Sequence, residues 1–244
     1  MTAEKTEQQP FCSRKNVDEK RNGDKIILDL CGGTGAWSAP YATNGYDVRV
    51  ITSPDYDVIR WRECTELCEL TANNRVHGIL AAPPCTMFSI ARNDTTAKMK
   101  RDLREGFKIV HSCLEIIWEC LYSPFRISQN SLKFWALENP NGYLKRFLGK
   151  PSLDFHPYMY GDPHTKRTLV WGMFNQPKKN IVKPREFEHP TTKGAHDYVK
   201  CVEHFADLRK IPSEYISKTS FSKRAVLRSM TPPHFAQAFF EANP

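Results

Sequence analysis

An apolar run that ends in a glycine-rich turn constrains the fold of this chain more than any other feature. Residues 26–30 read Ile-Ile-Leu-Asp-Leu, and residues 32–35 read Gly-Gly-Thr-Gly. The run predicts a buried strand, and the glycines allow a tight turn whose backbone can approach a nucleotide-like ligand closely. The spacing lacks the third glycine of a dinucleotide fingerprint, which disfavours NAD. A tight strand-to-helix turn without a ligand explains this segment equally well.

Strands and helices alternate downstream of this turn. Apolar periodicity predicts strands over residues 48–51, 78–82, 134–137 and 168–174. It predicts helices over residues 36–44, 58–70, 99–122 and 232–242, with a loop over residues 86–98. The apolar face of the longest helix is expected to hold Leu103, Phe107, Val110, Leu114, Ile117 and Trp118. The alternation predicts an α/β fold whose parallel sheet binds ligands at the carboxyl ends of its strands.

The chain divides into four segments by composition and pattern. Residues 1–24 are polar and highly charged, and we expect a disordered arm there. Residues 25–175 carry the alternating elements and form the main domain. Residues 176–223 are rich in Lys, Pro and His and lack a clear period, which indicates a small appended region. Residues 224–244 are expected to form a helix that packs back on the main domain.

The composition bounds the partners and the compartment. A net charge of +8 suits a polyanion such as nucleic acid, although many basic proteins bind none. The 8 cysteines form no Cys-x-x-Cys pair and several lie in apolar segments, which indicates a reduced, intracellular interior. No apolar run reaches the roughly 20 residues of a membrane span, so we expect no membrane partner.

A cysteine follows two prolines at the end of a predicted strand. Residues 81–89 read Ala-Ala-Pro-Pro-Cys-Thr-Met-Phe-Ser. The prolines fix the backbone ahead of Cys85, which suits a nucleophile that needs a defined approach. A free cysteine beside an apolar strand is more often a packing residue. The rigid Pro-Pro and the polar loop after Cys85 favour function.

An acidic residue ends the next predicted strand. Residues 136–142 read Ala-Leu-Glu-Asn-Pro-Asn-Gly. At the end of a buried strand, the environment of Glu138 can raise its pKa enough for it to hold or deliver a proton. A carboxylate that caps the following turn is an equally good reading of this segment.

Together these three segments resemble the cytosine-5 DNA methyltransferase family, in which DLFAGxGG-like, PPCQxFS-like and ENV-like motifs follow one another in this order. The resemblance covers most of residues 26–174, and residues 83–85 with 88–89 are its strongest part. Residues 160–168 look like the family's arginine-bearing QxRxR element, and residues 228–243 look like its closing segments. The resemblance implies a small member with a Rossmann-like S-adenosylmethionine-dependent sheet and a reduced target-recognition region at residues 176–223.

The resemblance also implies a role for each matching residue. Cys85 attacks carbon 6 of cytosine, Glu138 hydrogen-bonds the ring nitrogen and amino group, and Asn139 holds that loop. Lys166 or Arg167 faces the base carbonyl or a phosphate. The S-adenosylmethionine site is expected to contain Asp29, Leu30, Gly33, Gly35, Trp37, Asp55 and Pro83, with Asp57 as the alternative acid. The expected nucleic-acid contacts are Ser89, Arg92, Lys98, Lys100 and Arg101.

The chain departs from the family pattern at several positions. Cys31 and Ala36 replace the usual Phe and Gly of the first motif, Thr86 and Met87 replace Gln-Gly after the cysteine, and Pro140 replaces Val. The span from Thr52 to Cys85 has room for one helix and one strand, whereas the family normally has another such unit. The short region after Asn175 predicts short or relaxed sequence specificity.

Several alternatives remain open at this point. The motifs do not distinguish DNA from RNA, since a tRNA-methylating branch shares them, and DNA is the expected partner. A modified one-carbon group could replace methyl, or the chain could be a catalytically silent nucleic-acid binder, although Cys85 and Glu138 argue against silence. A zinc module built on His189, His196, Cys201 and His204 fits no common structural spacing, so we expect no metal. We expect a monomer in the cytoplasm of a bacterial or phage context.

Overall fold

A computed structural model describes residues 22–73, 75–90, 100–122, 132–188, 196–198, 211–219 and 221–244. Its centre is a mixed sheet of six strands in the order β2-β1-β3-β4-β6-β5. These strands are β1 (Ile26–Leu30), β2 (Asp47–Ile51), β3 (Val76–Ala81), β4 (Phe134–Pro140), β5 (Leu153–Phe155) and β6 (Thr168–Met173). The protein therefore has an α/β architecture that is compatible with a Rossmann-like fold.

The sheet is parallel over its first four strands only. β1 pairs in parallel with β2 and β3, and β3 pairs in parallel with β4. β6 runs antiparallel to β4, and β5 antiparallel to β6. The expectation of a parallel sheet is thus confirmed for β2, β1, β3 and β4 and wrong for β6 and β5. Short connections through β5 replace the crossover helix that another parallel strand would require.

Helices cover both faces of the sheet. They are α1 (Ala39–Thr43), α2 (Thr65–Ala72), α3 (Leu103–Tyr122), α4 (Lys145–Leu148), α5 (Ser213–Lys218), α6 (Lys223–Ser229) and α7 (Pro233–Ala242). Single 3-10 turns cover Val58–Glu63, Cys85–Met87 and Pro157–Tyr160. α2 and α3 pack on one face, while α1 and α7 pack on the other. None of the helices in the described ranges is long and apolar enough to cross a membrane.

Three of the predicted helices differ from those observed. The first begins at Ala39 instead of residue 36, because turns with positive φ at Gly33 and Gly35 occupy the preceding residues. The second divides at Cys64, whose extended backbone separates a 3-10 turn from α2. α3 begins at Leu103, and its Trp118 is 49% exposed, so that residue does not belong to the buried face.

The C-terminal helix α7 closes the face that contains α1. Trp37 packs against Phe235 and Phe239 with ring centroids 6.1 and 5.4 Å away. The Tyr41 hydroxyl donates a hydrogen bond of 2.8 Å to the Asn243 carbonyl. Burial of each such aromatic side chain contributes roughly 1.5–3 kcal/mol, so this contact fixes the end of the chain firmly.

The region after β6 contains two small units. β7 (Glu186–Glu188) pairs antiparallel with β8 (His196–Tyr198). α5 and α6 share a small apolar cluster of Ile211, Val226 and Leu227. The predicted boundary between residues 223 and 224 therefore separates α5 from most of α6, although the two helices pack together. The predicted N-terminal arm lies outside the described residues up to residue 21, and the described chain is already anchored at Asn22, whose amide donates to the Asn44 carbonyl.

Candidate functional site

The candidate site lies at the edge of the sheet where the parallel strands end. The register aligns Leu30 of β1 with Ala81 of β3, and Ala81 with Leu137 of β4. β6 begins at this edge, because Thr168 pairs with Pro140. Segments that follow β1, β3 and β4, and the segment that precedes β6, therefore meet here. They carry the glycine turn, Cys85, Glu138 and Lys166.

The backbone around Cys85 is tightly organised. Cys85 opens a 3-10 turn directly after Pro84, and its carbonyl accepts hydrogen bonds from Phe88 N at 2.9 Å and Ser89 N at 2.8 Å. The Phe88 ring is fully buried and anchors the turn in the core. The thiol itself is half-buried. Its position is fixed by local bonds and by one aromatic anchor.

Electrostatics at the Cys85 thiol act in opposite directions. Burial raises the pKa of the thiol, and the Glu138 carboxyl raises it further. The positive charges of Lys166 and Arg228 lower it. These effects place the thiol, a carboxyl group and two cations close to one another. The cations are the groups that can favour the thiolate, which is the nucleophilic form of cysteine.

Glu138 supplies a buried carboxyl group beside this thiol. Its Oε2 is buried and has no hydrogen-bond partner in the part of the chain that the structure describes. Burial raises the pKa of Glu138, and the nearby charge of Lys166 opposes that rise. An unpaired buried oxygen costs about 1–3 kcal/mol. Asp29 Oδ1 and Asn139 Oδ1 are unpaired in the described chain as well, so Glu138 is distinguished by the thiol and the cation beside it.

Asn139 connects the two strand ends. Its Nδ2 donates a buried hydrogen bond of 2.9 Å to the carbonyl of Pro83, and its own side chain is 1% exposed. The loop that carries Cys85 is thereby tied to the residue after Glu138. Pro83 is itself buried and uses its carbonyl in this bond, so its observed contact is structural.

The two basic residues before β6 point to different partners. Lys166 Nζ donates to the carbonyl of Arg228 at 3.0 Å and acts electrostatically on Cys85 and Glu138. Arg167 instead forms a bidentate ion pair with Asp154 of β5, at 3.0 Å from Nε and 2.6 Å from Nη2. The prediction for Arg167 is corrected on this ground, since Asp154 engages its guanidinium. Arg228 opens the segment that resembles the family's closing segments, but no role near the thiol was predicted for it, because that position depends on how α6 packs.

Arg101 holds the Cys85 loop. Its guanidinium donates to the Met87 carbonyl and, at 3.0 Å, to the Ser89 carbonyl. It also lies over the ring of Tyr143, 4.6 Å from the centroid. Arg101 was expected to contact nucleic acid, and the structure instead engages it with the loop. Ser89 pairs with Gly142 through an isolated bridge, so its backbone is committed as well.

The other expected nucleic-acid contacts divide between described and undescribed residues. Lys100 is exposed directly before α3. Arg92 and Lys98 lie outside the described residues, as does most of the expected loop over residues 86–98.

The glycine turn after β1 has the tight form that the sequence indicates. Gly33 and Gly35 have φ of +57° and +70°, a region that favours glycine, and Cys31 shares it at 57°. The turn is tied to β2 by a bond of 3.2 Å from Gly33 N to Thr52 Oγ1. A Cβ at Gly33 would lie 3.4 Å from the Tyr215 hydroxyl, so α5 covers this turn.

Asp29 lies beneath the glycine turn. It is fully buried, and its Oδ2 accepts a hydrogen bond of 2.5 Å from Ser38 Oγ. Burial raises its pKa from 3.8 to about 7, against the hydrogen bonds from Ser38. A Cβ at Gly32 would overlap this carboxyl group, so the glycine is required where the turn crosses Asp29. Asp29 supports the turn from below.

Two further residues expected at the cofactor are core residues. Leu30 is 0% exposed within the cluster under α2 and α3, and Trp37 is 2% exposed under α7. Both side chains are directed into the core, which corrects the expectation that they line the site.

Asp55 is the exposed acid after β2. Its carboxylate is 61% exposed and pairs with Lys218 of α5 at 2.9 Å. The alternative, Asp57, caps the following 3-10 turn by accepting from Ile59 N at 3.0 Å. The capping bond explains Asp57 fully, so Asp55 is the better candidate for a ligand contact.

Asp55 supplies an accessible carboxylate at this edge of the sheet, whereas Gly35 is buried and Gly33 N is bonded to Thr52 Oγ1. Within the described ranges, no group of three His, Cys, Asp or Glu side chains could hold a metal ion. Of the alternative zinc ligands, His189, Cys201 and His204 lie outside those ranges.

The chain matches no protein-family model and no curated protein.

Proposed function

We propose that this protein is an S-adenosylmethionine-dependent cytosine-5 methyltransferase that acts on nucleic acid, with DNA as the first candidate substrate. The observation that carries the proposal is the meeting of Cys85, Glu138 and Lys166 at one edge of the sheet. A nucleophile, a carboxyl group whose pKa burial raises, and a cation are the groups that activation of a cytosine ring requires.

In this mechanism the Cys85 thiolate forms a bond from Sγ to carbon 6 of cytosine. The electron pair displaced from the ring double bond becomes available at carbon 5. Glu138, whose pKa burial raises, donates a hydrogen bond to the ring nitrogen and stabilises the charge that moves into the ring. Lys166 lies close enough to stabilise both the thiolate and the charge on the base carbonyl.

S-Adenosylmethionine supplies the methyl group that carbon 5 accepts. Gly33, Gly35 and Asp55 would hold it, the glycines through their backbone and Asp55 through the ribose hydroxyls. The carbon 5 proton then passes to water, the bond from Sγ to carbon 6 breaks, and Cys85 returns as a thiolate. Asn139 and Arg101 keep the thiol in place throughout, because Asn139 holds the carbonyl of Pro83 and Arg101 holds those of Met87 and Ser89.

The target base must leave a stacked duplex to reach Cys85. The thiol is half-buried and Glu138 Oε2 is buried, so the reacting ring has to enter between the ends of β3 and β4. Enzymes that act on a ring atom bind a flipped or single-stranded base for this reason. The same chemistry on RNA, or with a modified one-carbon group, would use the same residues.

The test is covalent trapping. The protein is incubated with S-adenosylmethionine and DNA or RNA that contains 5-fluorocytosine, which cannot lose its carbon 5 substituent. We expect an adduct that survives denaturation, no adduct with Cys85→Ala, and an unchanged yield with Cys68→Ala, a matched change at another half-buried cysteine. Trapping only on RNA would reassign the substrate. Binding without an adduct on either polymer would support a catalytically silent protein.

A further inference from the structure

Exposed basic side chains lie at the starts of two helices near the Cys85 loop. Lys100 and Arg104 lie at the start of α3, and Lys145 and Arg146 form the first turn of α4. All four are exposed. None of them forms an ion pair with an acidic residue in the ranges that the structure describes. We refer to these four residues as the flanking basic surface.

Aromatic packing holds the two parts of this surface together. The Phe88 ring packs edge-on against Phe107 of α3 at 5.6 Å, and Phe107 packs edge-on against Phe147 of α4 at 4.8 Å. Phe88 is also the anchor of the Cys85 loop. Phe107 of α3 therefore lies between Phe88 and Phe147, so both helices are joined to the ring that anchors the Cys85 loop, and the cations they carry are positioned relative to Cys85.

Backbone contacts fix α4 to the same loop. Tyr143 N donates to the Phe88 carbonyl at 2.8 Å. A Cβ at Gly142 would overlap that carbonyl, which shows how closely the two segments approach. Arg146 lies over Tyr143 at 4.8 Å, and Arg101 lies over the same ring at 4.6 Å. Stacking on Tyr143 orders the Arg146 guanidinium while leaving its donors directed to solvent.

The acidic residues near this surface are already engaged. Glu105 pairs with Lys108 at 2.7 Å, and Asp102 accepts from Glu105 N at 3.0 Å as a helix cap. Asp154 pairs with Arg167, and Lys145 contributes only a weaker effect that helps to lower its pKa. The surface therefore presents a net positive potential beside the thiol.

We propose that the flanking basic surface binds the phosphodiester backbone of the strand that carries the target base. This inference rests on the proposed function, because it takes Cys85 as the point where the base is held. It assigns backbone binding to Lys100, Arg104, Lys145 and Arg146, and assigns Arg101 to holding the loop. Exposed cations on ordered helices beside a nucleophile are suited to the phosphates that flank an extruded nucleotide.

Salt dependence of binding provides the test, since each phosphate contact on duplex DNA contributes about 0.9 to the slope of log affinity against log salt. Binding is measured by anisotropy with the full chain carrying Cys85→Ala, so that no adduct forms, on labelled duplex DNA, single-stranded DNA and RNA. Adding Lys145→Gln and Arg146→Gln together is expected to lower the slope on duplex by about 1.8. Arg146→Lys keeps the charge and is expected to retain most of the slope.

The matched control is Lys178→Gln with Lys179→Gln. Both lysines are exposed, and they precede Asn180, whose N bonds the Met159 carbonyl on the side of the sheet that α7 covers. An unchanged slope in this control, with a lowered slope in the α4 variant, supports the proposal. Equal slopes in both, or no binding of any of the three polymers, overturns it.

The trapping assay separates this result from the proposed function. An adduct together with unchanged salt slopes would reject the role of the flanking basic surface and leave the proposed methyl transfer standing. A lowered salt slope without an adduct would support backbone binding by the flanking basic surface and reject the proposed methyl transfer. Thermal unfolding of each variant checks that the exposed substitutions leave the fold intact.

Discussion

Two carboxyl groups lie at the same edge of the sheet, and burial raises the pKa of both. Asp29, near the end of β1, receives a short hydrogen bond from Ser38 and is closed off by Gly32 above it. Glu138, near the end of β4, has a buried oxygen without a partner in the described chain and lies in the field of Lys166. The Asp29 carboxyl group is enclosed by its own turn, although its Oδ1 also has no partner in the described chain, and the Glu138 carboxyl group lies beside a nucleophile.

This difference shows that a raised pKa alone does not identify a catalytic acid. Asp29 Oδ1 and Glu138 Oε2 are both buried without a partner in the described chain, so an unused oxygen does not separate the two groups either. Their neighbours separate them: Asp29 bonds Ser38 beneath the glycine turn and supports the fold, whereas Glu138 lies beside a thiol and a cation and is suited to a ligand. Substitutions at the two positions should therefore have separate effects on stability and on chemistry.

The largest effect is expected from Glu138→Gln. The amide keeps the size of the side chain but cannot hold or deliver a proton, so the rate of methyl transfer should fall by roughly 10²–10⁴-fold. Single-turnover methyl transfer from labelled S-adenosylmethionine measures this, and equilibrium binding of nucleic acid serves as the control. A loss below twofold would contradict the role of Glu138.

A smaller effect, on stability rather than chemistry, is expected from Asp29→Asn. The folded state raises the pKa of Asp29 from 3.8 to about 7 and so binds the proton more tightly than the unfolded chain. The contribution of Asp29 to stability is therefore full at low pH and is lost as the pH rises toward 7, at about 1.4 kcal/mol per unit of pKa difference.

Asparagine keeps the shape and a hydrogen bond to Ser38 without this titration. As the pH rises from 3.8 to about 7, the free energy of unfolding of the original protein should fall relative to that of Asp29→Asn. Denaturant titration across pH measures this difference. Parallel pH curves for the two proteins would show that Asp29 is ionised in the fold. Glu138 titrates in both proteins and cancels in the comparison.

The smallest effect is expected from Lys218→Ala. Its pair with Asp55 is exposed on both sides, and such pairs contribute about 0.2–1 kcal/mol. Removing the lysine frees the Asp55 carboxylate, so S-adenosylmethionine should bind more tightly by less than about fivefold in calorimetry. Asp55→Ala should weaken the same binding. An unchanged affinity in both variants would remove Asp55 from the cofactor site.

Much of the fold was predictable because local patterns of apolar residues indicate most of its strands and two of its helices. β1 to β4 and β6 coincide with apolar runs, and α3 and α7 with helical periodicity. β5 was missed because three residues, Leu153–Phe155, give too short a pattern. The direction of β6 was also missed, because the connections between elements decide strand direction and the sequence of the strand itself does not indicate it.

The candidate site was predictable where a motif and its backbone coincide. Cys85, Glu138 and Asn139 follow strand ends, and the structure brings these ends together. The choice between Lys166 and Arg167 was not predictable, because it depends on Asp154 reaching Arg167 from β5. Leu30 and Trp37 carry motif positions but face the core, since alternation along a strand and packing under α7 decide their direction.

The reversed direction of β6 has a consequence for how this chain can vary. β6 starts at the site with Thr168 beside Pro140 and ends at the opposite edge, where Met173 pairs with Trp135. The segment that leads from there to α5 is therefore held at one end by β6 and at the other by α5. Doubling its length would cost only about 0.6 kcal/mol in closure entropy. The segment between β6 and α5 holds none of Cys85, Glu138 and Lys166, so a change in its length leaves the register of these three residues unaltered.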